Sequence, residues 1–204
     1  PDRPVVVGFG PAGMFCALLL ARAGLCPLVL ERGGSVEERV AAVENFVSTG
    51  KLDLQSNIQF GAGGAGTFSD GKLTTRIGDS KCGFILETLR ALGAPEDILW
   101  RAKPHIGTDI LRNVVANADR EICSFGGEIR YCTRVEAAGD GWIQIDGERI
   151  ACGPVVLATG HSARDLYAYL MEAGYAIEAK PFSIGVRVEH LQEELDAALY
   201  GKAE

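Results

Sequence analysis

The run Gly8-Phe9-Gly10-Pro11-Ala12-Gly13 constrains this chain more than any other stretch of its 204 residues. A G-x-G-x-x-G turn is common by itself, so its setting decides what it means. Pro4 to Val7 is a short β-branched run that reads as a buried strand. Pro11 to Ala23 reads as a helix, with Ala12, Phe15, Leu18 and Leu19 along one face and Gly24 as its stop. Pro27 to Leu30 is a second strand, closed by Glu31. Strand, glycine turn, helix and strand in this order make a βαβ unit with a parallel pair.

Each position of the turn has a physical task. Gly8 permits the tight turn, Gly10 lets a pyrophosphate approach the backbone, and Gly13 lets the helix pack close to the strands. Pro11 and Ala12 open the helix, whose N-terminus offers unpaired N–H groups and partial positive charge to phosphates. Glu31 lies 18 residues beyond Gly13, near the spacing of an acid that grips a ribose. Ionised, it would accept two hydrogen bonds from ribose hydroxyls and repel a 2′-phosphate, which disfavours NADP here. The motif specifies a dinucleotide and leaves NAD and FAD both open.

Farther on, Ser35 and Glu38 form a capping-box pattern for a helix running to about Phe46. From Lys51 to Gly78 all periodicity is lost, and this loop holds FGAGGAGTFSDGKL at residues 60–73. Loops of that length inside a domain are usually functional or disordered. Helices are expected at Gly83 to Leu92 and Asp109 to Phe125, with Thr108 as N-cap and Gly126 as C-cap. Glu128 to Glu136, Trp142 to Asp146 and Arg149 to Ala151 read as a meander of strands. Pro154 to Ala158 is an apolar strand ending in Thr159-Gly160, which puts small residues at the carboxyl edge of a parallel sheet, where ligands bind in open α/β folds. A helix from Ala163 to Ala173, strands at Tyr175 to Ala179 and Ser183 to Glu189, and a helical tail from Leu191 to Leu199 complete the pattern. The expected fold class is α/β, a parallel sheet with helices and a β-meander.

Composition narrows the function. A formal net charge of −7 argues against a nucleic-acid or anionic-membrane partner. No two of the six cysteines form a C-x-x-C pair, so the usual zinc spacings and a sequence-adjacent redox dithiol are excluded and no metal site is expected. Several cysteines lie in apolar runs, as core thiols do, which favours a reducing, cytoplasmic setting. The apolar stretch Met14 to Ala21 is far shorter than the roughly 20 residues that span a bilayer. No Ser-His-Asp order, H-E-x-x-H or P-loop lysine appears, so no catalytic side chain is assigned and any chemistry belongs to a cofactor.

The stretches VVVGFGPAGMFCALLLARAG, ERGGSVEER, QFGAGGAGTFSDGKLTTR, KPHIGTD, VVLATGHSARD and KPFSIGVRVEH together resemble an uncharacterised family of FAD-dependent dehydrogenases, built like glutathione reductase. The resemblance runs from Val5 to His190 and implies a Rossmann-like FAD/NAD(P)-binding fold with FAD as cofactor. It implies that Thr159-Gly160 passes the pyrophosphate and that the strand around Val135 meets the adenine. His161, directly after Gly160, either sits near the pyrophosphate or is a structural or solvated histidine. The loop with Gly63, Gly64, Thr67, Ser69, Gly71 and Lys72 would lie along the flavin ring. Lys72 is then either a flavin-tuning cation or a solvated loop lysine, Asp70 orients it or a ribityl hydroxyl or forms an ordinary turn, and Ser69 donates to the flavin or caps the next segment. Arg32 and Arg39 either reach the phosphate or adenosine end or pair with surface acids.

In this family a second glycine-rich stretch lies far downstream, so the chain reads as an N-terminal part: residues 1–174 an FAD-binding domain, 175–204 the start of a truncated substrate or cap region. The expected reaction is hydride transfer between a small organic substrate and FAD, with NAD(P)H a candidate electron donor. The rivals are an NAD-binding dehydrogenase domain and a nucleotide-binding module without turnover.

Overall fold

The computed structural model describes residues 3–68, 71–75 and 77–201, which fall into two units divided after Gly174. Along the first run β1 (Val5–Val7), α1 (Pro11–Arg22), β2 (Leu28–Leu30), α2 (Val36–Thr49), α3 (Cys82–Ala91), α4 (Thr108–Ser124), β3 (Glu128–Arg130), β4 (Val135–Gly139), β5 (Trp142–Ile145), β6 (Glu148–Ala151), β7 (Val155–Leu157) and α5 (Arg164–Glu172). Short 3-10 helices at Gly64–Phe68 and Glu96–Leu99 interrupt the loops.

β1 pairs in parallel with β2 and β7, and β2 with β3, giving the order β3-β2-β1-β7. Val7 stands opposite Leu30 on one side and Leu157 on the other, so the three strands end level. The chain leaves β1 toward one edge for β2 and returns on the opposite side for β7. Where strand order reverses in this way, the connections diverge and leave a crevice at the carboxyl ends.

Along β1 and β2 both faces of the sheet are covered, which is why these two strands read as unbroken apolar runs. On one face Val6 and Val29 pack with Leu18 of α1 and Val114, Ala118 and Ile122 of α4. On the other, Val5, Val7 and Leu30 pack with Val135, Ala138 and Ile143 of the antiparallel sheet β4-β5-β6.

Four local expectations are corrected. The run Glu128 to Glu136 is two strands in two sheets, because Cys132 and Thr133 donate to the Gly33 and Glu31 carbonyls instead of continuing a ladder. α2 continues past Phe46 to Thr49, where Gly50 at φ +72° ends it. Gly107, not Thr108, is the N-cap of α4, and Phe125 its C-cap, with Gly126 in the left-handed conformation one residue later. In the second unit α6 (Gln192–Tyr200) forms, but the expected strands at 175–179 and 183–189 do not. Phe182, Ile184, Val186 and Val188 there alternate as a strand would, yet all are exposed and no described segment pairs with them. Among the described residues, no helix is long and apolar enough to cross a membrane.

Candidate functional site

The crevice at the end of the sheet is a cleft of about 530 Å³. That is within the range of small-molecule and cofactor sites, about 300–1,000 Å³. Three strand ends supply Val7 and Gly8, Leu30 and Glu31, and Leu157 and Ala158; the start of α1 supplies Gly10, Pro11 and Ala12. The long loop contributes Gln59 to Gly61 and Gly64 to Gly66, and the segment after β7 contributes Thr159 to Ala163.

The three glycines of the turn divide their work as expected. A Cβ on Gly8, at φ +100°, would lie 2.5 Å from the Ala158 carbonyl oxygen, and one on Gly13 would lie 1.9 Å from the Gly8 oxygen. Both therefore set how closely α1 and the strands approach. A Cβ on Gly10 would meet only the Gly64 Cα, at 3.8 Å, so this glycine keeps the cleft floor open. Above it α1 starts with Pro11 at its first position, no side-chain cap and no acid in its first turn. A bare helix start of this kind suits an anion.

Glu31 is 5% exposed and accepts from three backbone N–H groups: Phe9 at 2.7 Å on Oε2, Gly33 at 2.9 Å and Gly61 at 3.0 Å on Oε1. A carboxylate has roughly four acceptor positions, so one remains for the cleft. Three acceptor positions are thus used inside the protein, which leaves too few for the expected two-bond ribose grip, because the same side chain clasps the turn to the loop.

Arg39 is corrected more fully. It is 0% exposed, is absent from the cleft wall, and donates to the carbonyls of Asn57 (2.8 Å), Ile58 (2.7 Å), Ala62 (2.8 Å) and Gly64 (2.6 Å). Its guanidinium also lies over the Phe68 ring, which Arg112 shares. Burial lowers it to about 10, opposed by the Glu31 carboxylate and reinforced by Arg112, so it stays charged at neutral pH. Arg32 does reach the cleft, held by an ion pair with Asp165 and stacked over Phe60.

Val135, Thr159, Gly160 and His161 line the cleft, and the Tyr167 hydroxyl donates to the Gly160 carbonyl at 2.9 Å. Thr67 does not: it is buried and donates to the Ala62 carbonyl, filling the space that a side chain at Gly63 would need. Gly71 and Lys72 are not part of the wall either. Their strand-like segment pairs with His105 and its neighbours, through Leu73 N–H to the Pro104 carbonyl and Ile106 N–H to the Gly71 carbonyl. Ser69 and Asp70 lie outside the described residues. All six cysteines are free, and none is fully buried; burial raises the thiol of Cys16 on α1. Sequence reasoning missed Phe60, Thr133, Leu166, Tyr167 and Leu170 of the wall. Of these, only Phe60 carried a signal, an aromatic residue directly before the glycine loop.

No family model matches the chain. It is 50% identical, over 98% of its length, to an uncharacterized protein of Clostridium beijerinckii, and spans 38% of that relative. Among solved structures it is similar to THI4 of Thermovibrio ammonificans, with a TM-score of 0.51 at 15% identity, covering 86% of this chain and 64% of that one. The fold is Rossmann-like α/β. It is also similar to a 3-ketosteroid-Δ4-(5α)-dehydrogenase of Rhodococcus jostii, with a TM-score of 0.47 at 17% identity, covering 78% of this chain and 46% of that one.

Proposed function

We propose that this chain is the FAD-binding part of a flavin-dependent oxidoreductase. The observation that carries the reading is the cleft at the β1/β7 crossing, where Gly10 opens the floor beneath a bare helix start. The residues fit an adenine dinucleotide: Gly8, Gly10 and Ala12 would hold its phosphates, Glu31 one ribose hydroxyl, and Val135 the adenine. Thr159, Gly160 and His161 complete the wall on the β7 side. The likeness to flavoproteins in GAGGAGTFSDGKL and in the Ala158-Thr159-Gly160 strand end favours FAD over NAD.

When bound, FAD supplies the hydride-accepting chemistry, and the protein supplies binding, orientation and electrostatics. A small organic substrate and NAD(P)H as electron donor belong to the same proposal, as does the reading of residues 175–204 as the start of a substrate or cap region.

The test is an FAD titration of the purified chain followed by flavin fluorescence, beside Gly10→Val. Saturable quenching by the native chain, weakened at least tenfold by the valine, is the expected result. A chain that ignores FAD but is stabilised against heat by NAD would establish the nicotinamide alternative instead.

A further inference from the structure

We propose that Arg39 is a positioning residue for the dinucleotide's phosphates, a buried cation set behind the cleft wall that attracts their charge without touching them; this rests on the dinucleotide reading above. The guanidinium is fully buried, and every hydrogen-bond acceptor it has among the described residues is a main-chain carbonyl. Among the described residues, these neutral carbonyls take four of its five N–H groups and bring no negative charge into direct contact with it. Removing such a charge from water is unfavourable, and neutral donors would suffice to hold a loop. What the charge adds is a field.

The field has a defined direction. Nη1 lies 2.6 Å from the carbonyl oxygen of Gly64, and Gly64 itself lines the cleft so near the start of α1 that a Cβ on it would lie 3.0 Å from the Gly10 Cα. The cation is therefore one peptide group away from the place where α1 begins. A trans peptide carries its C=O and N–H on opposite sides, so drawing the Gly64 carbonyl to the guanidinium turns the Ala65 N–H away from it. Ala65 is likewise a wall residue. Arg112, over the same Phe68 ring, adds a second positive charge, and the Glu31 carboxylate opposes that of Arg39. Low local polarisability lets such a charge act over several ångströms with little screening.

The experiment compares native chain, R39Q and R39K in calorimetric titrations with adenosine, AMP, ADP and FAD at one ionic strength. The native chain is expected to bind FAD, and R39Q to lose affinity in step with ligand charge. Adenosine should change by about twofold or less, and ADP and FAD by roughly tenfold or more, as expected of charges acting through an effective dielectric near 20. R39K, which keeps the charge and loses the fork, should keep the native preference for ADP over adenosine within about threefold. An equal loss for all four ligands, adenosine included, overturns the proposal and leaves Arg39 as a prop for the loop. A native chain that binds none of the four overturns the dinucleotide reading and this inference with it. Should R39Q fail to fold, R39K decides alone, since loss of its preference for ADP refutes the electrostatic role.

Discussion

Replacing Glu31 with glutamine tests whether one side chain holds the glycine turn and the long loop together. The swap keeps shape and removes charge. The carboxylate accepts from Phe9 on one oxygen and from Gly33 and Gly61 on the other. The amide settles best with its oxygen toward the two glycine N–H groups and its NH₂ toward Phe9, which then faces a donor. Losing one hydrogen bond to a charged group, with a buried donor left unsatisfied, costs about 1.5–3 kcal/mol. At about 2–4 °C per kcal/mol for a domain of this size, a loss near 2 kcal/mol lowers the melting midpoint by about 4–8 °C. Circular dichroism melts give the midpoint, and hydrogen exchange at the Phe9 amide shows whether the damage is local. A melt within about 1 °C of native, with the Phe9 amide no less protected, would refute the clasp.

Two further outcomes test other parts of the argument. Gly13→Ala places a methyl group 1.9 Å from the Gly8 oxygen, so α1 must move off the strands. Overpacking of this kind costs about 1–3 kcal/mol or more, and urea unfolding at the native midpoint would contradict the packing described. Hydrogen bonds from Arg130 and then Arg3 hold the Glu128 carboxyl below its ordinary value. A carboxyl depressed on folding contributes stability that is present above its unfolded pKa and lost as pH falls through the folded one. The native chain should accordingly lose more stability than Glu128→Gln between about pH 5 and pH 3, by under about 1 kcal/mol because the pair is exposed. Equal acid sensitivity of the two proteins would show that the pair contributes nothing.

Much of the site was legible because its determinants are neighbours in sequence. The capping box closes over three residues, with Ser35 Oγ accepting from Glu38 N–H and Glu38 accepting from Ser35 N–H. The apolar runs of β1, β2 and β7 and the glycine spacing likewise needed no distant partner. The strands expected at 175–179 and 183–189 failed for the converse reason. Alternation gives a segment the means to pair, and only a second strand can supply the ladder.

Arg39 shows the limit most clearly. An arginine on a helix beside Glu37 and Glu38 reads as reaching a cofactor's phosphates or adenosine or as pairing with surface acids, and the carbonyls that bury it instead come from residues 57–64. Glu31 was placed correctly at the cleft but given the wrong share of work, since Gly61, one of its partners, is 30 residues away. By itself, then, the sequence determined the βαβ unit, the different steric demands at Gly8, Gly10 and Gly13, and the sheet end at which the cleft opens. These follow from local sterics and short-range hydrogen bonding, which act within a few residues. The tertiary structure alone decided which charged groups face the cleft and which lie behind it. Burial and hydrogen-bond partnership depend on segments that meet only when the chain has folded.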